Sequence, residues 1–256
     1  MSTKHIIVVD NHSTDTSLRD CQKRFPSCIY IRCTKNHGFA RGANRGAREA
    51  LDRGADTVTF CNPDAVLDPL CMTRLYKALH RHPDSIVTPH IYTDITRHKT
   101  WFCGGHIDFW RMRAVHTHPC NTTQPLGKNA FLSGCVLTVP QSVFARIGFF
   151  DERFFLYYED VDFSLRAHNA GIALRIVPDA YAYHAEVSED HKERKTYHLV
   201  LSGLRFFEKH AHNRVQKCYF ALYFALRRLY NRIKGIHNNP LRTAVHRAYN
   251  DFEQTR

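Results

Sequence analysis

The sequence lacks several things that would fix a function class at once. Its nine cysteines include no Cys-x-x-Cys pair and no spacing that suits zinc, and the count is odd. Thioredoxin-type, zinc-finger and disulfide-scaffold readings are therefore set aside, and the thiols read as reduced, buried residues of a cytosolic protein. No leader is visible: Met1–Lys4 runs straight into the apolar run Ile6–Val9 and then Asp10. No stretch is apolar over the length needed to cross a bilayer. The dinucleotide fingerprint G-x-G-x-x-G and the P-loop are both missing, as is any nucleic-acid motif. Acidic side chains are in deficit, 24 Asp and Glu against 36 Lys and Arg, for a net charge of +12. Such a balance favours anionic partners: phosphates, nucleic acid or an acidic membrane surface. Without a motif, nucleic acid is the weakest of the three. What remains is a chain of 256 residues, 43% apolar, enough for one large domain and an appendage.

The most informative stretch is Gly148–Gly171, G-F-F-D-E-R-F-F-L-Y-Y-E-D-V-D-F-S-L-R-A-H-N-A-G. An aromatic run (Phe154, Phe155, Tyr157, Tyr158) precedes three acids, Glu159, Asp160 and Asp162. An amphipathic helix pattern then closes at Gly171. Acids in a first helical turn often serve only the helix dipole, which accounts for one or two of them. Carboxylates set against an apolar wall tend to have raised pKa values, which suits a general base.

Elsewhere, short continuous apolar runs alternate with helical patterns, the mark of an α/β protein with a mostly parallel, doubly wound sheet. Ile6–Val9 reads as a buried strand followed by the acceptor-rich loop Asp10-Asn11-His12-Ser13-Thr14-Asp15. Ligands of open α/β sheets sit beyond the carboxyl ends of strands, which places Asp10 well, although an Asx turn explains Asp10 alone. Ile29–Arg32 is a second strand. In residues 36–50, Gly38, Gly42 and Gly46 recur every fourth position. Close helix packing and close approach to a ligand explain the glycines about equally, and Arg41 and Asn44 tip the reading toward a ligand. Thr57–Phe60 is a buried strand whose turn Asn62-Pro63-Asp64 ends in a carboxylate suited to Mg2+ or Mn2+.

Leu70–His80 reads as a helix and Ser85–Pro89 as a strand. Residues 90–130 form an irregular excursion, with Trp101, Trp110 and scattered histidines, expected to flank an acceptor. Residues 131–139 read as one strand, Gln141–Ile147 as a helix and Leu174–Val177 as a strand stopped by Pro178. Tyr197–His210 is a further helix. From Val215 to Ile233 an apolar helix edged with Arg227, Arg228, Arg232 and Lys234 suits either a core or an anionic membrane surface.

Five segments, in this order, resemble family 2 glycosyltransferases of the rhamnosyltransferase-like group: V-V-D-N-H-S-T-D (8–15), N-H-G-F-A-R-G-A-N-R-G (36–46), N-P-D (62–64), S-G-C-V-L (133–137) and G-F-F-D-E-R-F-F-L-Y-Y-E-D-V-D (148–162). The resemblance covers roughly residues 5 to 210. It implies a GT-A fold, an inverting mechanism, a nucleotide-sugar donor and a divalent metal, Mg2+ or Mn2+. Asp160 matches the catalytic base, with Glu159 and Asp162 beside it. Asp64 matches the last acid of the metal-binding D-x-D motif, with Asn62 in place of the first, and His184 matches a histidine that reaches the metal or the diphosphate. Asp10 matches the acid at the nucleotide base. The loop and helix beside the nucleotide match residues 36–46, and Asn11, Asp15, Asn36, Gly38, Arg41, Asn44 and Asn62 are expected among the donor contacts.

The resemblance also marks two departures. Family members usually begin with one more strand, ahead of the first motif found here and central in the sheet. After the histidine they usually carry Gly-x-Ser, where this chain reads A-E-V-S with Glu186. The expectation is a glycosyltransferase domain over residues 1–212 and a basic helical tail over 213–256. Its acceptor is a hydroxyl of a cell-surface polysaccharide or a lipid-linked glycan. The expected place is the cytoplasm, peripherally on the inner face of the cell membrane. The competing reading is a catalytically impaired relative that binds without transferring. A specific expectation follows for the sheet: Ile6–Val9 and Thr57–Phe60 do not pair, a groove stays between them, and stability and donor affinity both suffer.

Overall fold

The computed structural model describes residues 6–117, 124–185, 192–211, 213–233 and 239–255. The elements are, in chain order, β1 (Ile7–Asp10), α1 (Ser17–Arg24), β2 (Ile29–Arg32), α2 (Phe39–Asp52), β3 (Thr57–Cys61), β4 (Ala65–Leu67), α3 (Cys71–Arg81), β5 (Ser85–Tyr92), β6 (Thr100–Phe102), β7 (Gly105–Asp108), β8 (Arg113–His116), β9 (Ala130–Phe131), β10 (Val136–Pro140), α4 (Gln141–Ile147), α5 (Glu159–Asn169), β11 (Ala173–His184), α6 (Lys192–Lys209), α7 (Arg214–Ile233) and α8 (Pro240–Gln254). They divide into two compact units. One holds residues up to 107, 114–155 and 159–186; the other holds 108–113, 156–158 and 187–256.

The first unit is α/β, but its main sheet is mixed rather than mostly parallel. The order is β3-β10-β5-β11-β4, with β6 added to β5. Only the β5–β11 pair in it runs parallel, while β3–β10, β10–β5, β11–β4 and β5–β6 run antiparallel. The apolar runs gave the right strands but not their directions, because a continuous buried run looks the same either way. Central β5 shows why these runs become strands: seven of its eight residues are buried, under α3 and against β10 and β11.

Two boundaries differ from the sequence reading for visible reasons. Residues 131–139 are not one strand, because the backbone N–H groups between β9 and β10 are taken by side chains. Leu132 donates to Ser164 Oγ (3.0 Å), Gly134 to Asp160 Oδ2 (2.8 Å) and Cys135 to Ser133 Oγ (3.2 Å). And β11 does not stop at Pro178: the register with β5 shifts between Val177 and Tyr181, so the proline sits in the irregularity and the ladder resumes.

β1 and β2 form a separate parallel pair. α2 packs on both β1 and β3, yet these two strands share no ladder among the described residues. The expected absence of pairing is therefore seen. β1 is apolar but only half-buried up to Val9, and Ile6 is exposed. A strand with this composition is ordinarily enclosed on both sides.

The second unit is helical. Leu201 and Leu204 of α6 pack with Ala248, Tyr249 and Phe252 of α8, and Phe224 of α7 closes over them. α8 is set by its start, where Asn239 Oδ1 accepts from Leu241 N and Pro240 takes the first helical position. Within this unit Tyr157 and Tyr158 both have φ of 67°, the left-handed region that bulky side chains rarely occupy. Ser202 Oγ holds them by donating to the Leu156 carbonyl (2.8 Å), and the Tyr158 ring packs on Phe206 at 5.3 Å. The aromatic run before the acids is thus split. Phe154 is core of the first unit, while Tyr157 and Tyr158 group with the helical one.

The reduced-thiol expectation needs one correction: Cys103 is disulfide-bonded, to a partner outside the described residues. Seven other cysteines are free. Cys33, Cys71 and Cys135 are buried as expected, while Cys61 and Cys218 are exposed.

Candidate active site

The end of β3, the start of β10, the end of β11 and the start of α5 supply the side chains that come together. Pairing of Val136 with Cys61 lays the Asn62–Asp64 turn beside Ser133–Cys135, and Asn62 N donates to the Cys135 carbonyl at 2.8 Å. Pairing of Ala65 with His184 brings the end of β11 to the same turn. His184 Nε2 lies 3.3 Å from Asp64 Oδ2. The imidazole is buried, whereas the Asp64 side chain is 61% exposed and free to face a ligand. His184 Nδ1 is enclosed without a hydrogen-bond partner, and the Trp101 ring lies 4.4 Å from the imidazole.

Asp160 stands at the first turn of α5. Its Oδ2 accepts from Gly134 N and its Oδ1 from Val161 N, both at 2.8 Å. A Cβ on Gly134 would make only ordinary van der Waals contact with the Asp160 Cβ and the Phe39 ring, at 3.5 Å, so it is the Gly134 backbone N–H that serves the site. Burial raises the Asp160 pKa, opposed by the two N–H donors and by His116. Cys135 lies within the field of both acids. Burial above all, then the nearby Cys61, Asp64 and Asp160, push its thiol far up.

The two neighbouring acids differ from Asp160 and from each other. Glu159 is buried, its Oε2 has no partner, and burial and the charge of Asp160 hold its pKa well above the usual range. Asp160, with two N–H donors, is the member of the pair that carries the charge. Asp162 is enclosed completely and paired with Arg166 (2.8 Å), whose guanidinium also donates to the Ile147 and Phe149 carbonyls. Its surroundings are those of a structural ion pair that fixes the turn after α4, so the support expected from Asp162 reaches Asp160 only through the fold.

The residues expected at the donor are mostly engaged with one another. Asn11 Nδ2 donates to Asn36 Oδ1 (3.0 Å) and to the Gly38 carbonyl (2.9 Å), while its Oδ1 accepts from His37 N. Gly38 has φ of 85°, and a Cβ there would fall 2.3 Å from the Phe155 carbonyl oxygen. Gly42 and Gly46 face Asn11 and Val9, so they serve the approach of α2 to β1 rather than a ligand. Asn44 departs from its expected donor role. It is fully buried, donates to the Phe150 carbonyl and Glu152, and accepts from Phe150 N. Arg41 is exposed and pairs with Glu152 at 3.5 Å. Asp15 is exposed at the start of α1 and accepts from Ser17 N. Asp10 is different. It is buried, Oδ1 accepts from Ser13 N (2.8 Å), Arg32 Nε lies 3.4 Å from Oδ2, and that oxygen has no hydrogen bond.

Two residues of the site were read in the sequence only as part of the excursion expected to flank an acceptor, without individual roles. Trp101 lies between two imidazoles, His184 at 4.4 Å and His116 at 5.4 Å, and His116 Nδ1 donates to the Trp101 carbonyl at 3.1 Å. Their short strands, β6 and β8, offered too few residues for a periodic signal. Glu186, the other departure in sequence, lies outside the described residues.

Among the described residues no three His, Cys, Asp or Glu side chains form a metal cluster. Asp64 and His184 still fit a divalent cation that shares its shell with a diphosphate and water, because Mg2+ and Mn2+ sites commonly use one or two protein groups beside substrate phosphates. The exposed Asp64 carboxylate and the unpartnered His184 ring nitrogen carry that fit.

Residues 1–135 match the family model for glycosyl transferase family 2. The chain belongs to that family. Among curated proteins it is 30% identical over 206 residues to an N-acetylglucosaminyl-diphospho-decaprenol L-rhamnosyltransferase of Mycobacterium tuberculosis, covering 70% of this chain and 66% of that protein. It is 27% identical over 184 residues to the dTDP-rhamnosyl transferase RfbF of Shigella flexneri (71% of this chain, 60% of that protein). It is 26% identical over 200 residues to the low-salt glycan biosynthesis hexosyltransferase Agl10 of Haloferax volcanii (76% of this chain, 63% of that protein). The matches thus span about three fifths to two thirds of these relatives' lengths. Among solved structures, GalNAc-T7 with UDP, GalNAc and Mn2+ matches 98% of this chain and 48% of that one, with a TM-score of 0.65 and 14% identity. TarS 1–349 of S. aureus in complex with UDP-GlcNAc matches 99% of this chain and 73% of that one, with a TM-score of 0.54 and 13% identity. The GT-A fold expected from the sequence is shown by these neighbours.

Proposed function

We propose that the protein transfers a sugar, with inversion, from a nucleotide-sugar donor to a hydroxyl of a cell-surface polysaccharide or lipid-linked glycan. The single observation that carries this is Asp160: a partly enclosed carboxylate held by Gly134 N and Val161 N, with its pKa raised by burial, near the exposed Asp64. In the proposed reaction Asp160 accepts the proton of the acceptor hydroxyl as its oxygen forms a bond to the anomeric carbon. The bond from that carbon to the diphosphate breaks, and the diphosphate leaves with the electron pair. Asp64 and His184 would hold Mg2+ or Mn2+, which when bound neutralises charge on the leaving diphosphate. Trp101 gives the acceptor ring a flat apolar wall. Asp10, with a buried oxygen lacking a hydrogen bond, is the group on the β1 side best suited to a nucleotide base. Relatives named as rhamnosyltransferases make rhamnose the first sugar to try. For a lipid-linked acceptor the protein would work peripherally at the inner face of the cell membrane, since no described helix is long and apolar enough to cross one.

The test is a transfer assay with a panel of nucleotide sugars, dTDP-rhamnose first, a lipid-linked or polysaccharide acceptor, and Mn2+. The expected result is release of nucleoside diphosphate coupled to a glycosylated acceptor. Donor binding without transfer across the whole panel would favour the impaired, binding-only relative. That second reading rests on the unpaired β1 and β3 beneath α2.

A further inference from the structure

α7 has one face too many. Its inner face is accounted for: Phe220 is buried and meets Phe207 at 5.9 Å, Phe224 meets Phe252 at 6.2 Å, and Arg228 is tied to Glu253 and Asn250 of α8. Those positions lie on one side of the helix. On the opposite side Val215, Leu222, Leu226, Leu229 and Ile233 fall at helical spacing and are all more than half exposed, up to 80% at Val215. The stripe runs the length of the helix, and contiguous apolar patches of this kind mark interaction sites. Trp110 extends it sideways: its ring is 76% exposed and lies 5.5 Å from Tyr219, whose hydroxyl donates to the Trp110 carbonyl.

The sequence read this segment as core or membrane helix. The structure shows both faces at once, with Phe220 and Phe224 inward and the aliphatic stripe outward. We infer that the outward face of α7, with Trp110, lies flat on an anionic lipid surface. Charge selects this occupant. α7 has no acid, and beside the inward Arg228 it exposes Arg214, Lys217 and Arg227. A second copy packed on the same stripe would set these cations against their equals with no carboxylate on either helix to relieve them. Anionic headgroups supply the missing charge, and Trp and Tyr beside an apolar stripe suit the boundary between headgroup and acyl chain. The helix is too polar to cross the bilayer, so it rests on it. This inference uses the helical unit alone and does not depend on the transferase reading.

The full chain should float with vesicles of phosphatidylglycerol and phosphatidylcholine, and not with phosphatidylcholine alone. Binding should weaken steeply between low and physiological salt. Leu226→Asp with Leu229→Asp, both at exposed positions, should lower partitioning by about tenfold or more with the melting curve unchanged. Trp110 fluorescence should shift to the blue on anionic vesicles, and in Trp101→Phe this shift should persist. Equal flotation with both vesicle types, or none, overturns the inference. So does a stable dimer in solution that the same double substitution dissociates, because the stripe then belongs to a second copy.

Discussion

Around α2, Asn11, Asn36, Gly38 and Asn44 satisfy one another and the backbone, so nearly every polar atom there already has a partner. Around the ends of β3, β10 and β11 the arrangement is the reverse. Asp64 is exposed, His184 Nδ1 and Glu159 Oε2 have no partner, and Asp160 is half-buried and hydrogen-bonded. Unsatisfied buried polar groups are costly and persist where a ligand or a reaction uses them. On the proposed reading the contrast separates scaffold from chemistry: the first group would shape the loop expected at the donor, and the second would offer groups to it.

The comparison extends to acids two residues apart. Asp162, wholly enclosed with Arg166, belongs with the scaffold. Asp162→Ala should destabilise the protein by about 3 kcal/mol or more, because it leaves the Arg166 charge without its partner. Chemical denaturation would read this, and an unchanged midpoint would remove Asp162 from the scaffold. Asp64→Asn should weaken donor binding about tenfold in Mn2+ and leave binding without metal nearly unchanged. Equal donor affinity with and without metal in the parent protein would contradict it.

Glu159 gives a prediction with a sign. Its folded pKa is raised, by burial first and by Asp160 second. The stability it contributes is therefore complete below the unfolded carboxyl pKa and is lost as pH rises through the folded value. Glu159→Gln should raise the melting temperature at pH 8 by about 2–4 °C, what roughly 1 kcal/mol gives in a chain of this size, with no gain at pH 4. A gain at pH 4 as large as that at pH 8 would contradict the assignment. The smallest effect concerns β1. With β2 as its one ladder partner among the described residues, its amides should exchange with solvent well before those of the enclosed β5, and donor affinity should be weak. Equal protection of the two strands, or tight nucleotide binding, would contradict this reading.

Much of this was legible in the sequence. Strand and helix positions followed from apolar runs and periodicity, and Ile29–Arg32 and Gln141–Ile147 match to the residue. Asp64, Asp160 and His184 were named from motifs; the ladders bring the segments of Asp64 and His184 together, and the Gly134 N–H ties in Asp160. Strand direction was not legible, because buried runs carry no sign of it. The break at Leu132–Cys135 depends on partners from α5, a contact no local window contains. Asn44 looked like a ligand contact for the same reason: its partners lie 106 and 108 residues away. The helix over residues 240–254 was folded into a general basic tail, though Asn239-Pro240 is a recognisable helix start.

Asp160→Asn decides the matter most directly. Asn at this position keeps the shape, but its single oxygen can accept from only one of Gly134 N and Val161 N, and it cannot take a proton. The variant should stay folded, melting slightly below the parent, and bind donor as the parent does, while transfer falls by about a hundredfold or more. Normal transfer by Asp160→Asn, with Asp162→Asn folded yet inactive, would show that the base has been placed on the wrong carboxylate.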